Sequence, residues 1–225
     1  MKTYGIILAS GSGSRFGADI PKQFIKIKNK TILEYSLKAF ENSPCIDEIV
    51  LVITPEYRGL AEKIVAENKY EKVSKIIDGG KERKDSSFNG VSVIDDTEAK
   101  VLIHDCARPF VSQKIISDCV NALDKFDAVC TAIISTDTVF EMQDGVIKNI
   151  PERSSMMRAQ TPQGFKLSVI KRAHVLAKND KNFTDDCGLV IRYNLCDVGI
   201  IEGSETNLKI TYPDDLYFAD RILGQ

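Results

Sequence analysis

The apolar positions of this chain fall into short continuous runs, separated by stretches in which apolar residues recur every three or four positions. Residues 4–9 form the first run and end in Gly and Ser, which predicts a buried strand running into a loop. Thr31, with Glu34 three residues on, makes a capping box. After it, Leu33, Leu37 and Phe40 lay an apolar stripe along one helix face. Residues 48–53 read as a second strand, and Pro55 suits the first turn of a helix running towards Glu67. A third strand over 73–77 ends at Asp78-Gly79-Gly80. A helix over 85–93, a strand over 101–104, a helix capped by Ser112 and continuing to about Lys125, and a strand over 128–134 complete the series.

This alternation of β-branched strands and helices predicts an α/β fold: a doubly wound, mainly parallel sheet with helices on both faces. The rhythm breaks between Ser135 and Met157. Residues 138–148 read as a hairpin turning at Asp144-Gly145. A lone hairpin is marginal in water, so this β-arm, about 136–157, is expected to pack on another surface such as a second subunit. The pattern then resumes, with segments 197–202 and 208–211 and a last helix from Pro213. With no repeat or linker, residues 1–225 read as a single domain carrying an arm.

Composition narrows the function. A 43% hydrophobic content over 225 residues supports a full core, and a formal net charge of −2 argues against a nucleic-acid or membrane-surface protein, which needs a basic face. The first apolar run is too short for a signal peptide, and nothing approaches the ~20 apolar residues of a spanning helix. A cytoplasmic protein is expected. Six cysteines without a C-x-x-C pair give zinc ligation no support and default to small buried hydrophobes, with Cys106 and Cys187 set apart because both lie in polar motifs.

In such sheets, ligands bind beyond the carboxyl ends of the strands. The strand-end segments are the loop 9–17, Asp78-Gly79-Gly80, residues 104–109 and Thr136-Asp137-Thr138, and they are expected to converge. The loop Gly11-Ser12-Gly13-Ser14-Arg15-Phe16-Gly17 combines glycines, hydroxyls and an arginine. Glycines let backbone N–H groups approach phosphate oxygens. It is no Walker A loop, because no Gly-Lys-Ser/Thr follows, and Phe16 stands where a dinucleotide fingerprint needs its third glycine. Taken alone, it also fits a plain solvent loop. Lys22, in Ile20-Pro21-Lys22-Gln23-Phe24, adds a second cation, so that Arg15 and Lys22 together can neutralise a triphosphate. Asp105 is the strongest carboxylate candidate for Mg²⁺, a hard cation that often takes one or two carboxylates plus phosphates; a turn or helix-cap aspartate is its alternative. Asp78, Asp137, Asp185 and Asp186 share that alternative. His104 reads as structural and His174, among basic neighbours, as surface.

Six ordered motifs carry a family resemblance over about residues 4–223. They are residues 8–15, 20–24, His104-Asp105-Cys106-Ala107-Arg108-Pro109-Phe110, residues 158–165, Thr184-Asp185-Asp186 and Asn207-Leu208-Lys209-Ile210-Thr211. The chain resembles the 2-C-methyl-D-erythritol 4-phosphate cytidylyltransferases and their near relatives, the ribitol-5-phosphate cytidylyltransferases. The resemblance implies a homodimeric, Mg²⁺-dependent enzyme that moves CMP from CTP to a polyol phosphate. It implies that Ala9, Ser10, Gly11 and Gly13 cradle the CTP, that Arg15 and Lys22 contact its phosphates, and that Gly80 and Ser86 hold cytosine and ribose. Asp105 would contact the metal-bound nucleotide, Arg108 the acceptor site, and Lys209 the acceptor and α-phosphate. Thr138 and Arg153 on the arm would reach the acceptor phosphate of the partner subunit's site.

Elementary chemistry agrees with such a site. Transfer of a phosphoryl-type group rests on positioning and charge stabilisation, and an acceptor phosphate is already ionised near neutral pH, so no general base is required. Departures from the family pattern lie at Ser10, Cys106, Thr136 and Asp186-Cys187-Gly188, clustered towards the acceptor half. They leave methylerythritol phosphate as the leading acceptor, followed by ribitol 5-phosphate. An NAD(P)-dependent oxidoreductase would need an acidic ribose ligand after the second strand, which Ile53-Thr54-Pro55 does not supply. A non-catalytic nucleotide sensor would have little need of Arg15, Lys22, Asp105, Arg153 and Lys209 together.

Overall fold

The computed structural model describes residues 1–11, 16–17, 20–180 and 183–224. In chain order its elements are β1 (Thr3–Ala9), a small hairpin of β2 (Lys26–Ile27) and β3 (Lys30–Thr31), α1 (Ile32–Glu41), β4 (Glu48–Ile53), α2 (Arg58–Asn68), β5 (Val73–Asp78), α3 (Arg83–Ser92), β6 (Lys100–Asp105), α4 (Gln113–Ala122), β7 (Ala128–Ile134), β8 (Glu141–Gln143), β9 (Val146–Asn149), β10 (Met157–Lys166), α5 (Leu167–Leu176), α6 (Asp186–Arg192), β11 (Val198–Glu202) and α7 (Asp215–Ile222). Seven strands make one sheet in the order β11-β7-β10-β6-β1-β4-β5. Every pairing in it is parallel except those of β10, which runs antiparallel to both β6 and β7.

Strand alternation sorts the core into two layers. Ile7, Leu51 and Leu102 face one side and meet Leu33, Leu37 and Phe40 of α1 with Ile116 of α4. Ile6, Val52 and Ile103 face the other and meet Val91 of α3, Ile170 of α5 and Leu189 of α6. Two glycines permit the closest approaches. A Cβ at Gly5 would stand 2.5 Å from the Phe40 ring, and one at Gly90 would stand 2.6 Å from Ile6. Both neighbours are fully buried, so neither can yield cheaply.

Local signals work as expected in several places. The Thr31 hydroxyl accepts from the Glu34 N–H while the Glu34 carboxylate accepts from the Thr31 N–H, closing the capping box. Ser112 caps α4, accepting from the Ile115 N–H at 3.2 Å. Three expectations need correction. Helix α4 stops at Ala122, short of Lys125, because Asp124 and Lys125 close single turns on Asn121 and Ala122. Residues 208–211 join no sheet; they are an extended segment tied by the Ile210 N–H to the Ala107 carbonyl at 2.8 Å. His174 is 4% exposed, wedged between α3 and α6 beside Ser87, Phe88 and Asp186, because it falls on the inward face of α5 with Ile170 and Ala173. The hairpin forms as expected, with Asp144 at φ 52° and Gly145 at φ 76°, and all of β8 and β9 is exposed.

Candidate active site

The carboxyl ends of β1, β5 and β6 open into one cleft of about 380 Å³, inside the size range of small-molecule sites. Among the described residues, Ala9, Ser10, Gly11, Lys22, Gly80, Ser86, Asp105 and Lys209 line it, together with Lys81, Glu82, Arg83 and Cys106. Lys22, Lys81, Arg83 and Lys209 set four cations against the carboxylates of Glu82 and Asp105. A chain of net charge −2 therefore carries a locally positive cleft, the arrangement a small polyanion requires.

Hydrogen bonds fix its walls. The Ser10 hydroxyl donates to Ser86 Oγ at 2.7 Å, and Ser86 Oγ also accepts the Gly80 N–H at 3.0 Å. Side chains at Gly79 and Gly80 would prevent this: a Cβ at the first would lie 2.2 Å from Ser10 Cβ, and one at the second 2.2 Å from Asp85 Cβ. Gln23 is buried and donates to the Ala9 carbonyl at 2.7 Å, holding the Pro-Lys-Gln turn against the end of β1. Lys22 Nζ donates to the Ile210 carbonyl at 3.0 Å, one residue from Lys209.

At the floor sits an ion network. Asp105 Oδ1 accepts from Arg83 Nε at 2.9 Å and Oδ2 from Lys209 Nζ at 2.6 Å. Arg83 extends to Asp186, its Nη1 donating to Oδ2 at 2.7 Å, and its buried Nη2 has no hydrogen-bond partner among the described residues. Asp186 also accepts from the Ser87 hydroxyl at 2.5 Å, and His174 Nε2 lies 3.2 Å from that hydroxyl. Burial alone would raise the Asp105 carboxyl, but Arg83 and Lys209 outweigh it and hold the group well below the usual carboxylate range. Burial likewise works against the charge on Arg83, and the two aspartates more than restore it. Asp105 is thus ionised throughout the physiological range. Cys106 is the opposite case: burial pushes its thiol up to about 12, so it is a neutral wall residue and no nucleophile.

The 158–165 motif braces this floor from behind. Thr161 Oγ1 accepts the Asp105 N–H at 3.0 Å and pairs with His104 Nδ1 at 3.1 Å, while His104 Nε2 meets the Arg108 carbonyl at 3.0 Å. Gln163 Oε1 accepts the N–H groups of Asp186 and Cys187 at 3.0 and 3.2 Å. Asn207 Nδ2 donates to Gln160 Oε1 at 3.1 Å and to the Thr161 carbonyl at 2.9 Å, which positions the segment carrying Lys209.

Not every expected residue joins the cleft. Gly13 and Arg15, with Ser12 and Ser14, lie outside the described residues. Arg108 turns away from the lining, donating to the carbonyls of Asn207 and Ala159 at 2.8 and 3.1 Å, where it ties loop to strand. Thr138 and Arg153 are exposed on the arm and line no part of the cleft within their own chain, so the expected convergence of 136–138 does not occur there. Residues 184–188 also stand outside the lining: Asp185 caps α6, Asp186 acts through Arg83, and Cys187 is buried behind. Asp78 pairs with Arg58 on the surface. Arg83 is the residue that sequence reading missed. It sits in Lys81-Glu82-Arg83-Lys84-Asp85, a charge run that reads as a solvated face.

A mainly parallel sheet with an anion-binding cleft at its strand ends, walled by a Gly-Gly turn and lined by four cations, is the arrangement of a nucleotide-binding transferase. The comparisons with known proteins make the class specific. The family model described as 2-C-methyl-D-erythritol 4-phosphate cytidylyltransferase matches residues 4–225, and the chain belongs to that family. It is 42% identical over 227 residues to the 2-C-methyl-D-erythritol 4-phosphate cytidylyltransferase of Thermobifida fusca, covering 96% of this chain and 91% of that one. It is also 41% identical to the bifunctional ribulose 5-phosphate reductase/CDP-ribitol pyrophosphorylase of Haemophilus influenzae, covering 98% of this chain and 48% of that protein. Its fold superposes with a TM-score of 0.88 on the 4-diphosphocytidyl-2C-methyl-D-erythritol synthase of Anaerococcus prevotii, at 29% identity over 100% of this chain and 96% of that one. No described helix is long and apolar enough to cross a membrane.

The brace makes a prediction. Burial lowers the His104 pKa from 6.5 to about 4. Between those values the unfolded chain binds a proton that the folded chain does not, so stability falls on acidification from about pH 6.5 to about pH 4, by up to about 3 kcal/mol from this group. Urea unfolding of wild type and His104→Gln at pH 7.5 and pH 4.5 measures it. The loss between the two pH values should shrink by about 2–3 kcal/mol in the variant, and an equal loss in both would contradict a buried neutral imidazole.

Proposed function

We propose that the cleft binds CTP and that the chain transfers CMP from it to 2-C-methyl-D-erythritol 4-phosphate, releasing pyrophosphate. The observation that carries this reading is the floor network, in which Asp105 is held between Arg83 and Lys209 in a four-cation cleft. In the reaction a phosphate oxygen of the acceptor attacks the α-phosphorus in line, one P–O bond forms, and the bond to the β-phosphate oxygen breaks. The attacking oxygen carries no proton near neutral pH, so the chemistry needs charge stabilisation rather than a base. Lys22 neutralises the leaving pyrophosphate, together with Arg15. Lys209, about one-third exposed, is placed to exchange its contact with Asp105 for one with the α-phosphate and the acceptor. Ser10, Gly80 and Ser86 supply the polar wall for ribose and base.

Mg²⁺ fits this floor through Asp105. The carboxylate is ionised, borders the cleft and, among the described residues, accepts one hydrogen bond at each oxygen, leaving a lone pair on each. Two adjacent cations oppose a bare metal ion, so it would enter with the triphosphate. Bound there, Mg²⁺ supplies further neutralisation of phosphate charge.

The second acceptor, ribitol 5-phosphate, is kept in view by the CDP-ribitol pyrophosphorylase relative. A panel of polyol phosphates with CTP and Mg²⁺, scored by pyrophosphate release, decides between them. Methylerythritol phosphate should give the highest kcat/KM, and Lys22→Ala should lower it by about 10²–10³-fold. Ribitol phosphate at the head of the panel would move the assignment to the second reading, and full activity in Lys22→Ala would sink both.

The arm completes the site as a homodimer contact in this proposal. Val139, Phe140, Met142, Val146, Ile147 and Ile150 are all exposed on it, an apolar surface unusual for a free two-stranded ribbon. Thr138 and Arg153 would then bind the acceptor phosphate in the partner's cleft. Mixing two inactive variants tests this. Arg153→Ala and Lys22→Ala chains, unfolded together and refolded, should regain activity that neither has alone, because a mixed dimer contains one intact site. No recovery, with dimers present by sedimentation, would contradict a site shared between subunits.

A further inference from the structure

Behind the floor of the cleft, three metal-type donors converge that the nucleotide site does not use. Cys130 on β7, Asp185 as the N-cap of α6 and Cys187 in its first turn bring two thiol sulfurs and a carboxylate oxygen within 4.8 Å of one another. Asp185 and Cys187 are two residues apart, but Cys130 lies more than fifty residues earlier, so no C-x-x-C spacing announces the cluster, and the cysteine pattern alone gives zinc ligation no support. None of the three lines the cleft.

Their surroundings hold the donors in place. Asp185 Oδ1 accepts the Gly188 N–H at 3.0 Å and Oδ2 accepts Gln163 Nε2 at 2.7 Å. The same Nε2 points at Cys130 Sγ, 3.4 Å away. Gln163 Oε1 fixes the Cys187 backbone at 3.2 Å. One amide nitrogen thus already serves as the positive end for two of the three electron-rich atoms. Two donors ride on a central strand and on the first turn of a packed helix, so little ordering is left to be done. Cys187 is buried, whereas Cys130 and Asp185 are only half-buried, which leaves one side of the cluster open to solvent.

We propose that Cys130, Asp185 and Cys187 form a binding site for a thiophilic divalent cation of the Zn²⁺ class, with a fourth position facing water. Mg²⁺ and Ca²⁺ demand oxygen ligands and are poorly served by two sulfurs, whereas a mixed sulfur and carboxylate set suits zinc. Tetrahedral bonds of about 2.3 Å to sulfur and about 2.0–2.2 Å to oxygen place ligand atoms roughly 3.5–3.8 Å apart. The donor atoms, all within 4.8 Å of one another, stand about 1 Å or less outside that spacing. Binding forms two metal–sulfur bonds and one metal–oxygen bond, and the two thiol protons leave to buffer. The site is independent of the acceptor assignment.

The test is spectroscopic. Full-length protein, reduced and stripped of metal with a chelator, is titrated with Co²⁺ in the absence of oxygen and then back-titrated with Zn²⁺. One equivalent of Co²⁺ per chain should produce a thiolate-to-metal charge-transfer band with the visible bands of a tetrahedral ion, and Zn²⁺ should bleach both. Cys130→Ser and Cys187→Ser should each weaken Co²⁺ binding roughly tenfold or more, while Cys45→Ser leaves it unchanged. Cys130 is half-buried, so its serine variant tests the site even where the Cys187 variant fails to fold. No thiolate band in the wild type overturns the proposal. So does a band of undiminished affinity in Cys130→Ser, either result meaning that the two thiols are packing groups only.

Discussion

A single charged group sets the terms for the rest of this structure: the Asp105 carboxylate, kept ionised at the end of a central strand with only 13% of its side chain exposed. Burying a charge costs several kcal/mol unless partners compensate, and here both partners come from far along the chain. Lys209 arrives on the extended segment before α7, and Arg83 from the first turn of α3. Asp105 alone would have to serve two cations but for Asp186, which also pairs with Arg83 and is 1% exposed at the start of α6. Four residues from four elements therefore form one chain of alternating charge that exists only when the whole sheet is assembled. A nucleotide triphosphate entering the cleft meets cations already oriented, and their reorientation cost has been met by folding.

The antiparallel strand β10 has a specific part in this arrangement. Its polar residues point into the gaps between the strand ends and the loops, where each holds a backbone segment that carries a site residue. Thr161 steadies Asp105, Gln163 steadies the turn bearing Asp186, and Gln160 with Asn207 steadies the approach to Lys209. Reversing one strand in a parallel sheet places these side chains beside the carboxyl ends of its neighbours, which a parallel strand at that position would not do. The family motif over 158–165 is therefore a scaffold for the charged residues, with none of its members in the cleft lining.

How much of this was legible in the sequence depends on which force dominates each segment. Strands β4 and β7 were readable residue for residue because both are continuous apolar runs whose ends coincide with the loss of burial. The capping box at Thr31 and the Asp144-Gly145 turn were equally plain, since local chemistry decides them. Strand β10 left no such signal: Arg158-Ala159-Gln160-Thr161-Pro162-Gln163 is polar and contains a proline, and its burial is repaid by hydrogen bonds that only the assembled fold provides. Arg83 and His174 failed for a related reason. Each sits among charged neighbours, and which member of a charge run turns inward is settled by a partner about a hundred residues away or on another helix. The cleft residues Ser10, Lys22, Asp105 and Lys209 were legible through motif order, and Gly80 and Ser86 through what the family resemblance implies, whereas the arm residues Thr138 and Arg153 await a second chain.

The claim that Arg83, Asp105, Asp186 and Lys209 act as one unit is tested most directly by a double-mutant cycle on kcat/KM for CTP with Arg83→Met and Asp186→Asn. Asp186 lies outside the cleft, so its effect on turnover should pass through Arg83. A linked network predicts that the double variant is scarcely worse than the poorer single one, with a coupling of about 1.5 kcal/mol or more, roughly a tenfold departure from additivity. Losses that add to within about 0.5 kcal/mol would mean that the two residues serve the site separately, and would contradict the account.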